Sequence, residues 1–335
     1  METVSNPIEK TCFQLLEKAI HSEATDIHFV PTSEGYDVTI RKHALFSKIG
    51  HFPHTLGSRL ISFYKFLSSL DISEHRRPQS GSFHRSFSEH NFSFRVSTIP
   101  SIQSRESVAI RVQKHDKIVP LQKLCSNPEW SSQLSQAAAY KQGLFLVTGP
   151  TGSGKTTTLY SLTAHCVKEL ERHVISLEDP VENNHSHLLQ IQVNERSGIT
   201  YSAGLKAILR HSPDVIMIGE IRDAETAKIA VEAALTGHLV LSTIHAKDPV
   251  GCLYRLMDLG VHLEELRQTI IAISAQRLIT RHSGETAAIF EILQDPYIEQ
   301  ATEAISKGER FSVPNERKID TQLAFLESQA LNVVE

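Results

Sequence analysis

The sequence predicts an α/β fold in which a wound parallel sheet follows a smaller α+β domain. Residues 143–170 begin with an apolar run, pass through a glycine-rich loop and continue with helical spacing of apolar residues, as a buried strand followed by a helix would. Strand and helix patterns then alternate as far as residue 243, which is typical of a wound sheet. Before residue 119, short segments alternate apolar and polar residues in the manner of half-buried strands.

The loop after the first of these strands has the spacing of a phosphate-binding loop. The pattern Gly-x-x-x-x-Gly-Lys-Thr is formed by Gly149, Pro150, Thr151, Gly152, Ser153, Gly154, Lys155 and Thr156, followed by Thr157. Glycines let successive backbone N–H groups turn toward phosphate oxygens, and the helix N-terminus adds its positive dipole end. Lys155 is expected to reach the terminal phosphates and Thr156 to hold Mg²⁺. The alternative, a glycine-rich turn with a chance lysine, is disfavoured by the flanking strand and helix.

Polar residues end three further predicted strands, where the carboxyl ends of parallel strands would face bound phosphates. Strand 215–218 leads to Gly219 and Glu220, which is placed to hold the Mg²⁺ shell or to orient the attacking water. Strand 174–177 leads to the acidic box 178–182, whose carboxylates are expected near the same metal and water. His245 follows the third strand and is placed to sense a phosphate or to couple to the acids.

Composition indicates a soluble, cytosolic protein. The 335 residues are 40% hydrophobic and 21% charged, without a stretch of eighteen apolar residues or a signal-peptide pattern. The four cysteines form no C-x-x-C pair, so we expect neither zinc nor disulfides. Residues 1–127 carry 16 lysines and arginines against 12 acids, and residues 128–335 carry 18 against 26. The two halves therefore either dock in an assembly through opposite charge or are simply solvated surfaces.

We expect a first domain at 1–118, a linker region at 119–135 and a second domain at 136–335. A helix is expected to begin after Asn6, because the following Pro7 suits the first helical position. Alternation at 92–97 and 108–112 predicts two half-buried strands, with Arg95 and Arg111 on their outward faces. Prolines and polar residues indicate the linker.

Taken together, these motifs resemble the secretion and type IV pilus ATPase superfamily. They comprise the phosphate loop 149–156, the acidic box 178–182, the Walker B stretch 214–223 and the histidine box 237–245. The similarity continues in Ala275-Gln276-Arg277-Leu278 and Phe290-Glu291-Ile292-Leu293, and upstream in Thr25-Asp26-Ile27-His28 and Arg95-Val96-Ser97-Thr98-Ile99-Pro100. It covers roughly residues 20–295, and four ordered motifs at matching intervals make it specific.

The resemblance implies an α/β, RecA-like P-loop ATPase domain preceded by a smaller α+β, PAS-like domain, assembled as a homo-hexamer. It implies that ATP and Mg²⁺ are used, that Glu220 is the catalytic acid, and that Glu182 is its partner. It also implies that Arg95 and Arg111 reach the nucleotide from the first domain. The implied partner is a polytopic membrane platform protein, which would place this protein in the cytoplasm at the inner face of the cell membrane. The ATPase would then act on pilins only indirectly, through the platform.

Four functions stay open within and beyond this superfamily. The chain lacks the four-cysteine zinc loop and the additional N-terminal domain of many relatives, which favours the compact ATPases that assemble a pseudopilus for DNA uptake in competence. Pilus retraction and type II secretion are the alternatives. A ring that binds or translocates DNA directly belongs to another class, and the modest basic excess of residues 1–127 is far below a phosphate-tracking stripe, so no direct nucleic-acid contact is expected.

Overall fold

The computed structural model describes residues 6–42, 45–88, 90–102, 105–115, 118–182, 185, 188–280, 285–328 and 332–333. The chain divides into two compact units, residues 1–116 with 182–184, and residues 117–181 with 185–335. Both units combine helices with sheets, so the α/β class predicted from the sequence is confirmed. No helix among the described residues is both long and apolar enough to cross a bilayer.

The first unit contains a six-stranded antiparallel sheet and two helices. In chain order these are α1 (Pro7–His21), β1 (Asp26–Pro31), β2 (Gly35–Lys42), β3 (Leu45–Pro53), α2 (His54–Leu67), β4 (Gln79–Phe87), β5 (His90–Pro100) and β6 (Glu106–His115). The strand order is β3-β2-β1-β6-β5-β4. The side chain of Asn6 caps α1 by accepting from the Ile8 N–H at 3.1 Å, with Pro7 in the first turn, as the sequence predicts.

Alternation along the strands divides the sheet into a buried and an exposed face. Apolar side chains of α1, α2 and the buried face form one core, which includes Leu16, Tyr64 and Phe94. Arg95 and Arg111 lie on the exposed face, where they stand directly opposite each other across β5 and β6. The predicted outward direction of both arginines is therefore observed.

A buried ion pair crosses the first unit. The Nζ atom of Lys65 on α2 lies 2.9 Å and 3.1 Å from the two carboxylate oxygens of Glu106 on β6, and also donates to the Glu74 carbonyl at 2.6 Å. Lys65 is fully buried and Glu106 is 4% exposed. His75 adds a contact of 2.7 Å to the same carboxylate. Because buried charges are costly unless they are paired, this pair fixes α2 against the end of the sheet.

The second unit is a sheet with helices on both faces. Its elements are α3 (Leu121–Leu124), α4 (Pro128–Ala138), β7 (Gly143–Thr148), α5 (Lys155–Lys168), β8 (Val174–Glu178), β9 (Leu189–Gln192), α6 (Tyr201–Ile208), β10 (Val215–Ile221), α7 (Ala224–Leu235), β11 (Leu239–Ile244), α8 (Pro249–Asp258), α9 (Leu263–Thr269), β12 (Ile270–Thr280), β13 (Thr286–Leu293), α10 (Tyr297–Ser306), α11 (Ile319–Ser328) and β14 (Asn332–Val333). Single 3₁₀ turns follow β9, α6 and α10.

Parallel pairing brings the carboxyl ends of the central strands to one edge of this sheet. The strand order is β13-β12-β7-β11-β10-β8-β9, with β14 beside β12; only β13 and β14 run antiparallel to their neighbours among the described strands. β7, β8 and β11 are buried throughout, which explains their continuous apolar sequence. Helices α4 and α5 pack on one face, and α6 to α10 pack on the other.

The segment expected to be a linker is largely packed structure. Helices α3 and α4 lie within 119–135 or extend just beyond it, and their residues Leu121, Leu124 and Leu134 are buried in the core of the second unit. Pro128, one of the prolines that suggested a connector, instead lies in the first turn of α4, where the Asn127 side chain caps the helix by accepting from the Glu129 N–H at 2.9 Å. Asparagine, serine and proline are common both in linkers and at helix N-termini, so their presence did not distinguish a linker from the start of a helix.

Replacing Lys65 by alanine should destabilise the first unit by about 3–5 kcal/mol, because the Glu106 carboxylate would stay buried without its cation. The free energy of unfolding in urea measures the loss. Lys42→Ala is the matched control: its Nζ lies 2.8 Å from exposed Glu23, and such surface pairs contribute less than about 1 kcal/mol. Equal losses in the two variants would contradict the role of the buried pair.

Candidate active site

The phosphate loop connects β7 to α5, as the sequence predicts. Three of its glycines have positive φ angles, 144° at Gly149, 81° at Gly152 and 84° at Gly154, which side-chain-bearing residues rarely adopt. Space is also restricted at the first of them, because a Cβ atom at Gly149 would lie 2.7 Å from the Gln276 carbonyl oxygen. The loop backbone is therefore specified both by conformation and by its packing against β12.

The loop ends at the N-terminus of α5, where the geometry suits an anion. Gly154 is the N-cap, and no side chain among the described residues caps the helix. The N–H groups of its first turn, which contains Lys155, Thr156 and Thr157, therefore keep their positive dipole end available to an anion. Lys155 folds back over the loop, and its Nζ atom donates to the carbonyls of Gly149 and Pro150, each at 2.9 Å. A phosphate that binds here would replace these two carbonyls as the partner of the ammonium.

Glu220 lies at the carboxyl end of β10, next to β11 in the sheet. One carboxylate oxygen accepts from Arg222 Nε at 2.6 Å, and the other lies 3.0 Å from His245 Nε2. The Glu220 side chain is only 15% exposed, whereas Arg222 and His245 are more than half exposed. One oxygen is thus held by a hydrogen bond from Arg222, and the other lies close to the imidazole of His245. The bond to Glu220 raises the pKa of Arg222 above its usual value.

The structure brings Lys155, Glu220 and His245 to the same edge of the sheet. Burial lowers the pKa of Lys155, the nearby Glu220 carboxylate opposes this shift, and the Arg277 guanidinium reinforces it. Lys155, Glu220 and His245 lie at or after the carboxyl ends of β7, β10 and β11, which pair in parallel in the order β7-β11-β10, so these ends meet at this edge. The edge therefore presents cations and one carboxylate beside an anion-binding loop, which suits the binding of phosphates and the activation of water.

The acidic box does not act as a single cluster. Glu178 is buried, and its carboxylate accepts hydrogen bonds from Tyr160, Ser176 and Gln190, so the expectation that it approaches metal and water is wrong. Asp179 is exposed and lies near Tyr201, whose pKa is raised by burial and then by this carboxylate. Glu182 is half-buried and belongs to the segment that groups with the first unit.

Two acids of the Walker B stretch have structural roles. Asp214 accepts from the His173 N–H at 2.8 Å, and Asp223 caps α7 by accepting from the Thr226 N–H at 2.8 Å. Glu220 is therefore the acid of this stretch that faces the phosphate loop. In the first unit, Arg111 Nε donates to Asp26 at 3.2 Å beside Arg95, so these two predicted site residues lie together on that sheet.

Sequence reasoning missed Arg222 and the role of Gln276. Arg222 follows Glu220 by two residues on an extended chain, and that spacing places both on the same side, so the signal was present. Gln276 is fully buried on β12, its amide donates to the Ser153 carbonyl, and its Nε2 lies 3.2 Å from the position of a Cβ at Gly154. A glutamine inside a buried strand was the available signal, but only the sheet order places it behind the phosphate loop.

The chain is similar to several known proteins. Residues 2–315 match the family described as Type II/IV secretion system protein. Competence protein ComGA of Bacillus subtilis (strain 168) is 49% identical over 273 residues, 81% of this chain and 76% of the relative. Competence protein ComGA of Halalkalibacterium halodurans is 38% identical over 338 residues, which cover 93% of this chain and 96% of the relative. Type II secretion system protein E of Klebsiella pneumoniae is 39% identical over 82% of this chain and 55% of its own length.

Solved structures agree on the fold. The crystal structure of the pilus retraction motor PilT with bound ADP superposes with a TM-score of 0.75 and 24% identity, covering 96% of this chain and 94% of that chain. The match of the family profile spans most of the sequence and includes every motif described above. The predicted resemblance is therefore confirmed: the chain belongs to the type II/IV secretion system family and is a P-loop ATPase.

Proposed function

We propose that this ATPase powers the assembly of a type IV-like pseudopilus for DNA uptake in competence. The observation that carries the proposal is the position of Lys155 and Glu220 at the same carboxyl edge of the sheet, in a chain 49% identical to a competence protein over most of its length. The shared edge supports a site for ATP hydrolysis, and the similarity to the competence protein supports a role in DNA uptake. Type II secretion is the second candidate, because a type II secretion protein is 39% identical over 82% of this chain.

The residues of the phosphate loop suit ATP with Mg²⁺. Lys155 would leave the Gly149 and Pro150 carbonyls to bind the terminal phosphates, and the loop backbone and helix N-terminus would hold the others. Among the described residues no three acidic, histidine or cysteine side chains converge on a metal site. Mg²⁺ would therefore be held by the Thr156 hydroxyl and the Glu220 shell together with phosphates and water, as this ion usually is. We propose no zinc in the protein.

Glu220 is the residue that we assign to water activation. Its carboxylate is held by Arg222 at the edge where the terminal phosphate would lie, so it can orient a water in line with the bond that breaks. The His245 ring lies 3.0 Å from the same carboxylate and can report a change at the phosphate to β11. Glu182 is the proposed second acid of the site.

The motor would act as a homo-hexamer bound to a polytopic membrane platform protein at the inner face of the cell membrane. Head-to-tail contacts that close on themselves give such rings. We propose that Arg95 and Arg111 of the first unit complete a nucleotide site in the assembled ring, where guanidinium groups stabilise the charge that develops on transferring phosphate. Pilins would be affected only through the platform, and no direct contact with nucleic acid is proposed.

Lys155→Ala should abolish steady-state phosphate release, and Glu220→Gln should lower it by about 10²–10⁴-fold while nucleotide binding stays within about twofold. The first change removes the phosphate contact; the second keeps the size of the side chain but removes its charge. In the host organism, either variant as the only copy should abolish surface pseudopili and DNA uptake, which wild type restores. Normal DNA uptake with a hydrolysis-dead variant would reject the proposed function.

Gln276→Leu should raise the KM for ATP about five- to tenfold, since the phosphate loop would lose the amide that holds the Ser153 carbonyl. This corresponds to about 1 kcal/mol, the usual contribution of one hydrogen bond. Gln294→Leu is the matched control, because the Gln294 amide donates to the Gln133 carbonyl at 3.3 Å, away from the loop. A KM for ATP that is equal in the two variants would remove Gln276 from the binding argument.

Arg95→Ala and Arg111→Ala should each reduce ATP turnover at least about tenfold, because an arginine on the transferring phosphate contributes about 10³–10⁵ in rate in related enzymes. Arg59→Ala, at an exposed position of α2, should leave turnover unchanged. Mixing either variant with Lys155→Ala subunits shows whether the arginine serves its own chain or a neighbour. Full turnover in both arginine variants, with the oligomer intact, would reject the composite site.

A further inference from the structure

A buried carboxylate beneath the active site has no role in the reaction described so far. Glu178, the last residue of β8, is 3% exposed. One of its oxygens accepts from Ser176 Oγ at 2.7 Å and from Gln190 Nε2 at 3.1 Å, and the other accepts from the Tyr160 hydroxyl. All three donors are neutral. A carboxylate buried in this way is costly to keep, so its position needs an explanation.

Tyr160 connects this carboxylate to the helix that binds phosphate. It lies on α5, five residues after Lys155, about 7.5 Å along the helix axis, and is 3% exposed. Its ring also packs edge-on against His185, with 4.7 Å between the ring centres. Because Tyr160 and Glu178 are both buried, neither side chain is available to a nucleotide. Their hydrogen bond instead joins α5 to the end of β8.

Glu178 is also the first residue of the acidic box, and its backbone lies beside the strand that carries Glu220. The backbone of Glu178 lies beside Gly219, where an added Cβ would approach its Cα to 3.5 Å. Two glutamines of β9 bind the backbone of the segment between Glu178 and β9. Gln192 accepts from the Val181 N–H at 3.2 Å, and Gln190 accepts from the His185 N–H at 2.7 Å. Glu178 is thus the point where α5, β10 and the acidic box meet.

We propose that Tyr160 and Glu178 form a positioning pair that sets the phosphate-loop helix in register with Glu220 and the acidic box. The pair acts through these groups and has no contact with the nucleotide itself. Displacement of reacting groups by about an ångström can change a rate about 10²-fold, so a single buried hydrogen bond at this junction can control turnover. The inference rests on the proposed roles of Glu220 and the acidic box.

The test is the turnover of Tyr160→Phe, which removes only the hydroxyl. We expect kcat to fall about tenfold or more while the KM for ATP stays within about twofold. Tyr64→Phe is the matched control, because Tyr64 is equally buried and its hydroxyl donates to the Cys12 carbonyl at 2.8 Å in the core of the first unit. Both variants should lower the melting temperature. A kcat for Tyr160→Phe within about twofold of that for Tyr64→Phe overturns the proposal.

Glu178→Gln distinguishes positioning from catalysis. In this variant the amide oxygen can still accept a hydrogen bond from the Tyr160 hydroxyl, so at least about a third of wild-type kcat should remain. A loss of kcat as complete as in Glu220→Gln would make Glu178 a catalytic acid and overturn the proposal. This variant also decides the question if Tyr160→Phe fails to fold. Glu220→Gln tests a different proposal. Full turnover in that variant rejects the assignment of Glu220 to water activation, whereas the comparison of Tyr160→Phe with Tyr64→Phe still tests the positioning pair.

Discussion

The active edge of this protein depends on the backbone of the phosphate loop. Three glycines with positive φ turn the chain between a buried strand and a helix, and Gln276 on the neighbouring strand leaves no room for a side chain at Gly149. The helix N-terminus, the lysine and the carboxylate of Glu220 take their positions relative to this loop. A change that opens the turn would displace Lys155 and the helix N-terminus from Glu220, which is held separately on β10.

Hydrogen bonds within the chain already occupy the reactive groups. Lys155 donates to two loop carbonyls, and Glu220 accepts from Arg222 with His245 close by. Nucleotide binding therefore exchanges partners instead of ordering free side chains, which reduces the conformational entropy lost on binding. It also means that the nucleotide must compete with these internal bonds, so affinity reflects the difference between two sets of interactions. Coupling between the helix, β8 and β10 then determines how a change at one group reaches the others.

Local patterns in the sequence predicted the groups that lie at strand ends. The loop 149–156, Glu220 and His245 follow apolar runs, and the parallel order of the strands makes their ends coincide. The sequence could not reveal the buried function of Glu178, since its partners Tyr160 and Gln190 come from separate elements. Strands β12 and β13 were also not predicted. β12 mixes apolar and polar residues irregularly and pairs with β7, whereas β13 is almost continuously apolar and pairs with β12, so neither shows the alternation of a half-buried strand.

Arginines on the first unit illustrate how an unfavourable arrangement can indicate function. Arg95 and Arg111 are directly opposite each other on neighbouring strands, and like charges in that relation destabilise a sheet. Asp26 offsets the charge of Arg111 from the next strand. An anion bound against this face would be attracted by both guanidinium groups and would screen the repulsion between them. The repulsion that lowers the stability of the free sheet would therefore favour binding. Two neighbouring guanidinium groups on one sheet face suit phosphate oxygens, because each offers several N–H donors in a planar fork.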